Sequence, residues 1–212
     1  NLINDIGALI YAGNDMYLNV GNDLTNKSYA TIYAQNNLFV KNRAFTADEQ
    51  NYFDTLNTNI LSLNNDISLL EDLEGVGTIT QLQSDELSAK RSEVSQKRLE
   101  VADIFYKVVD GEVVNDIRIN KLENISGNIE SYGGDIYIGA STLTNKREYL
   151  PTQGDEVQVH YDTSYTNGNI YYYYYRSEMQ GDAAPNALIN STNNLTINAD
   201  SITNNSSSIY AG

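Results

Sequence analysis

The chain has 212 residues with 41% hydrophobic and 10% aromatic content, enough for the core of one elongated domain. Its net charge of -15 argues against nucleic acid, where Lys and Arg must displace counterions, and against docking on an anionic membrane surface. Without cysteine there are no disulfides or thiolate sites, and the single histidine, His160, leaves no ligand set for a transition metal, so neither cofactor nor metal is expected.

No long apolar run is visible, and the opening "NLIND" lacks Met, so the chain reads as an internal fragment whose targeting information lies outside it. From Ala8 the segment "ALIYAGNDMYLNVGNDLTNKS" begins a pattern that returns at Ala30 ("ATIYAQNNLFVKN"), Gly127 ("GNIESYGGDIYIGASTLTNKR"), Ala187 ("ALINSTNNLTINADSITNNSS") and Ser208 ("SIYAG"). A spacing near 22 residues lies within the range of solenoid repeats. Ile10, Ile32, Ile129, Ile189 and Ile209 open a first short strand, and the small residues Ala12, Ala34, Ser131, Ser191 and Ala211 follow two places later. Alternation turns both sets to one side. A second strand carries the inward pairs Met16/Leu18, Leu38/Val40, Ile136/Ile138 and Leu195/Ile197. A third carries Leu24, Leu143 and Ile202, each two residues before Asn26, Asn145 and Asn204; Leu2/Asn4 and Leu122/Asn124 fit the same slot. Three short strands per repeat describe a parallel β-helix in which each coil buries its face on its neighbours and the asparagines stack as a ladder. Outward, Tyr11 falls beside Tyr33 and Tyr17 beside Phe39, as aromatic ladders or as landing surfaces for an insertion.

Two interruptions follow. In "TADEQNYFDTLNTNILSLNNDISLLEDLE", Phe53, Leu56, Ile60, Leu63, Ile67 and Leu70 alternate three and four apart, one apolar stripe of a helix. Thr46 and Glu49 form a capping box at its start, and Gly75 and Gly77 end it. A second helix, to about Asp110, repeats Leu87, Val94, Val101 and Val108 every seven residues. The pair reads as an antiparallel hairpin with complementary flanking charge, no Lys or Arg on the first helix and Lys90, Arg91, Lys97, Arg98 and Lys107 on the second, and it either lies along the β-helix or projects from it. The second interruption holds "EVQVHYDTSYTNGNIYYYYYR", a β-hairpin that places five tyrosines, Tyr171 to Tyr175, in one strand. The expected fold is thus all-β, a right-handed parallel β-helix with two insertions. It runs as coils 1–43, a helical hairpin 44–113, coils 114–148, a Tyr-rich β-hairpin 149–186, and coils 187–212.

Little here does chemistry. "YGGDIYIG" lacks the nine-residue recurrence of calcium-binding repeats and reads as a corner. Outward positions show no recurring Asp/Glu cluster, so the chain is not read as a glycan-cleaving β-helix enzyme. The N-x-[ST] matches at Asn26, Asn124, Asn190, Asn194, Asn204 and Asn205 fall on corner and ladder positions.

The repeats resemble those of filamentous-haemagglutinin-type exoproteins, in which an "x-I-x-A-G-x-x-L-x-I-x-A" run is followed by "L-T-N". The resemblance covers residues 1–42, about 116–148 and 187–212, roughly half the chain. This family of two-partner secretion includes adhesins and the CdiA-like effectors of contact-dependent growth inhibition. The resemblance implies a β-helical stalk on the surface of a Gram-negative bacterium, exported through an outer-membrane secretion partner. In CdiA-like members it implies a mid-chain region that recognises an outer-membrane protein on a target cell. Two insertions with tyrosine depart from plain stalk. Tyr161, Tyr165, Tyr171, Tyr173 and Tyr175, with the helical tip around Glu74 to Thr80, are the expected contacts with that receptor or with a surface glycan; packing of the same rings is the other reading. The alternative role is a structural stalk segment or adhesin, and the fragment is expected to be monomeric.

Overall fold

A computed structural model describes residues 1–148 and 184–212 in full, and residues 158–166 and 169–177 by their backbone pairing. In chain order the elements are β1 (Leu2–Asn4), β2 (Leu9–Ala12), β3 (Met16–Asn19), β4 (Asp23–Lys27), β5 (Thr31–Ala34), β6 (Leu38–Lys41), α1 (Ala47–Gly75), α2 (Gln81–Phe105), β7 (Tyr106–Val109), β8 (Glu112–Asp116), β9 (Ile119–Ile125), β10 (Asn128–Ser131), β11 (Ile136–Lys146), β12 (Gln158–Thr166), β13 (Asn169–Ser177), β14 (Leu188–Ser191), β15 (Leu195–Asn198), β16 (Ser201–Asn205) and β17 (Ser208–Ala211). The protein is mostly β, with parallel strands in curled sheets and two helices. The helices, 29 and 25 residues long, amend the expected all-β class.

Three parallel strand series make the sheets. One runs β2, β5, β10, β14, β17; a second runs β3, β6, the first half of β11, β15; a third runs β1, β4, β9, the second half of β11, β16. The registers join the residues that recur in sequence. Ile10 pairs with Ile32, Ile32 with Ile129, Ile129 with Ile189 and Ile189 with Ile209. Met16, Leu38, Ile136 and Leu195 form the second series. Leu2, Leu24, Leu122, Leu143 and Ile202 form the third. The pairing of β4 with β9 spans both helices, since Asn26 sits opposite Asn124. Apart from Ile202, which is exposed at the edge of its series (50%), these apolar side chains converge on one core in which Leu24, Ile32, Leu38, Leu122, Ile129, Ile136 and Ile189 are fully buried. A residue slip would turn each strand's apolar set outward, so the core fixes the register.

A polar spine runs beside this core. Asn4 Nδ2 donates to Asn26 Oδ1 (2.9 Å), Asn26 to Asn124 (2.8 Å), Asn124 to Asn145 (2.8 Å) and Asn145 to Asn204 (2.9 Å). Each of the first four amides also donates to a backbone carbonyl of the neighbouring first-series strand: Thr31, Asn128, Leu188 and Ser208. A side-chain amide has two donors and a two-lone-pair acceptor, which lets it bond to both neighbours inside an apolar stack without stranding a polar group. Gly127 keeps the space open: a Cβ there would lie 2.5 Å from Asn26 Nδ2 and 2.9 Å from Asn124 Oδ1.

The expected second helix ends five residues early. At Tyr106 the chain turns into β7, which pairs antiparallel with β8, Val109 opposite Glu112. Asp110 and Gly111 both have positive φ (52° and 85°), the two-residue turn that Asp-Gly favours in hairpins. Val108, assigned above to a helical heptad, is therefore an exposed strand residue (45%).

Candidate recognition surface

The helical hairpin is seated on an aromatic column. Tyr17, Phe39 and Tyr137 occupy one outward position in successive strands of the second series, with rings stacked at 4.6 and 5.0 Å. Tyr17 is exposed, whereas Phe39 (1%) and Tyr137 (4%) are covered. The cover is Phe53 from α1, edge-on to both rings at 5.2 Å, and Phe105 from α2, stacked on Tyr137 at 6.5 Å. Leu56, Ile60, Val94, Val101 and Ile104 complete this second core. Burial of each such ring is worth several kcal/mol, and edge-to-face pairs add about 1 kcal/mol more. Gly139 makes the approach possible, because a Cβ there would meet the Phe105 ring at 2.7 Å. Both outward readings of the Phe39 position are realised, since the stacked rings form an aromatic ladder and the insertion lands on it.

Polar contacts fix the orientation. The Tyr137 hydroxyl donates to Asp135 Oδ2 (2.7 Å), with Asn57 Oδ1 at 3.3 Å. Burial, reinforced by the Asp135 carboxylate, pushes the phenol above its ordinary range and keeps it a donor. Arg98 of α2 donates to Asn194 Oδ1 (2.5 Å), and Asn198 Nδ2 donates to the Ala102 carbonyl (3.1 Å). At the foot of α2, Arg118 donates to Asp116 and Asp200 and lies over the Tyr106 ring at 3.6 Å. Thr46 and Glu49 make the expected capping box on α1, and Thr80 and Gln83 make a second on α2.

A buried lysine sits beside the seat. Lys41 is 1% exposed; its Nζ donates to Asn19 Oδ1 (2.8 Å) and lies 4.5 Å from the Phe45 ring centroid and 5.0 Å from that of Tyr17. Burial, with a smaller contribution from Arg43 and against the opposing Glu49, lowers its pKa to about 8. Glu49, bonded to Arg43, has its pKa lowered to about 2 and stays charged throughout the range concerned. A depressed lysine pKa means that the unfolded chain holds the proton more tightly. Stability contributed by this site therefore rises with pH between about 8 and the ordinary 10.5, by up to roughly 3 kcal/mol. The wild type should gain on Lys41→Met across that window in urea titrations and run parallel to it below pH 8. A constant difference through the window would contradict the buried amine.

An open cleft of about 470 Å³ lies between α1 and a corner of the strand stack, lined among others by Asn57, Ile60, Leu61, Asn64, Asp135 and Asn194. The corner is itself a ladder: Asn37 N–H donates to Asp15, Asp135 N–H to Asn37, and Asn194 N–H to Asp135, at 2.9 to 3.0 Å. Much of the cleft's polarity is thereby engaged in holding the stack.

Among the described residues, hydrogen bonds and ring contacts from the hairpin to the sheets come from its base, between Phe45 and Asn57 on one side and Arg98 and Phe105 on the other. Beyond, the helices hold each other through Lys90–Asp66 and Arg91–Glu71 bridges and a buried Leu87. Among the described residues the hairpin is packed on the sheets at its base, and no hydrogen bond, ion pair or ring contact joins its far half to them.

The tyrosines singled out above lie on β12 and β13, an antiparallel pair as expected. Tyr161 sits opposite Tyr174, Tyr165 opposite Ile170, Tyr171 opposite Ser164, Tyr173 opposite Asp162 and Tyr175 opposite His160. Their side chains lie outside the described residues. Among the described residues no group of His, Asp and Glu is placed to hold a metal ion, and no helix is long and apolar enough to cross a membrane. Comparison with family models, with curated proteins and with solved structures finds no match.

Proposed function

We propose that the three strand series are the faces of a right-handed parallel β-helix with coils of about 22 residues, and that the chain is a receptor-binding segment of a secreted, CdiA-like bacterial exoprotein. Support for the β-helix comes from the registers, in which equivalent residues of each repeat are direct neighbours in all three series. Support for recognition comes from one observation above the others: a long helical pair is fixed rigidly at its base to an otherwise repetitive stack, while its far half is held to the sheets by nothing described. A spacer has no use for such an arm. The second, Tyr-rich hairpin is inserted one repeat later and is proposed to share the contact through Tyr161, Tyr165, Tyr171, Tyr173 and Tyr175.

The partner is an outer-membrane protein, or a surface glycan, of a target Gram-negative cell, and the full-length protein acts at the cell surface after export through its secretion partner. No catalytic step is proposed. Fluorescently labelled chain should bind intact Gram-negative target cells. Replacing the five tyrosines by Ser should lower that binding at least tenfold with an unchanged circular dichroism spectrum. Undiminished binding would reject the tyrosine assignment, and no binding by the wild type to any target would favour the stalk reading.

A further inference from the structure

The end of the helical hairpin carries more apolar surface than its fold uses. Leu69 is 66% exposed, Leu73 36%, Val76 72% and, across the turn, Leu82 78%. A spacing of four places Leu69 and Leu73 on one stripe of α1, away from the stripe that meets α2, and Val76 follows at the C-cap three residues on. Charge is segregated there as well. From Leu69 to Glu86 the acids are Glu71, Asp72, Glu74, Asp85 and Glu86, with no Lys or Arg among them. Glu71 and Glu86 are engaged by Arg91 and Lys90, while Asp72, Glu74 and Asp85 make no ion pair among the described residues. The turn is stiff: Gly77 takes φ +71°, Thr78 N–H donates to the Leu73 carbonyl, and the Thr80/Gln83 box starts α2.

We infer that this tip docks into a protein partner presenting an apolar socket ringed by Lys and Arg. The inference rests on the recognition reading above and adds the chemistry of the partner. Four exposed aliphatic side chains supply the area to be buried, and the acids around them favour a basic rim and repel an anionic one. Because the tip is already ordered, little conformational entropy is lost on docking. An anionic lipid surface meets the same acids with the wrong sign.

Defined probes test this apart from any receptor. An 18-residue amphipathic helical peptide of Leu and Lys should bind the chain, measured by fluorescence anisotropy. The same peptide with Glu for Lys, or with Ser for Leu, should bind at least tenfold more weakly. Binding of the Leu/Lys peptide should fall at least tenfold between 50 and 500 mM NaCl. Leu73→Ser/Val76→Ser should lose at least tenfold, and Asp72→Asn/Glu74→Gln/Asp85→Asn should lose affinity and flatten the salt dependence. Equal binding by both variants and the wild type would overturn the inference, as would stronger binding to phosphatidylcholine or phosphatidylglycerol vesicles than to the peptide. The same variants on intact Gram-negative cells separate the two claims. Cells bound equally by wild type and tip variants would sink the tip while leaving recognition standing; cells not bound, with the peptide results as expected, would sink recognition and leave the tip chemistry.

Discussion

Asn124→Ala should destabilise the protein by about 3–5 kcal/mol, roughly 10 °C in melting temperature for a chain of this size. Asn124 is fully buried, receives a bond from Asn26 and donates to Asn145 and to the Leu188 carbonyl. Truncation leaves Asn145 Oδ1 and the Leu188 carbonyl without that donor, and each stranded buried group costs about 1–3 kcal/mol. Asn204 occupies the same slot at the exposed edge of the series, with its Nδ2 on the Ser207 carbonyl alone. Asn204→Ala should therefore cost less than about 1 kcal/mol, since water replaces what is lost. Denaturant titrations of the two variants compare identical chemistry at two depths. Equal effects would mean that the ladder is not what holds the repeats in line.

Phe105→Ala is expected to have a comparable total effect, about 3–5 kcal/mol, but a different distribution. Phe105 is 1% exposed and closes the seat between Tyr137, Phe45 and Gly139. Its removal empties the joint and leaves the inner core of Leu24, Ile32, Leu122 and Ile129 untouched. Amide hydrogen exchange should speed up across α1 and α2 while β4, β5, β9 and β10 keep their protection. Uniform loss of protection would show that hairpin and sheets unfold as one unit.

How much of this was legible beforehand depends on distance along the chain. The registers were readable because the repeat writes them out: Ile, small residue, Leu and Asn return in the same order, and stacking identical residues is what such periodicity allows. The Thr46 box and the α1 stripe were readable because capping and helical spacing are local. At the end of α2 two signals compete: Val108 fits a heptad, while "VVDGEVV" holds the Asp-Gly turn signal, and the turn prevails. Lys41 and Arg118 gave no sign of burial. Each is covered by residues that the insertion brings back, Phe45 over one and Tyr106 over the other, and no periodicity records that return. The Asp15–Asn37–Asp135–Asn194 corner was equally hidden, because Asp and Asn suit any turn and only the stack turns them into a ladder.

All of these readings need the strand series to close across the helical hairpin, so that residues 98 positions apart in sequence are neighbours, as Asn26 and Asn124 are. The absence of cysteine makes this directly measurable. Thr25 and Glu123 are register partners on adjacent parallel strands, where Cα atoms lie about 5 Å apart, within reach of a disulfide. Thr25→Cys/Glu123→Cys should oxidise to an intramolecular bridge, visible as a faster-migrating monomer on non-reducing gels and as one cross-linked peptide pair by mass spectrometry, with the single Thr25→Cys variant as control. Free thiols or only intermolecular dimers under the same oxidation would contradict the stacked arrangement and every proposal built on it.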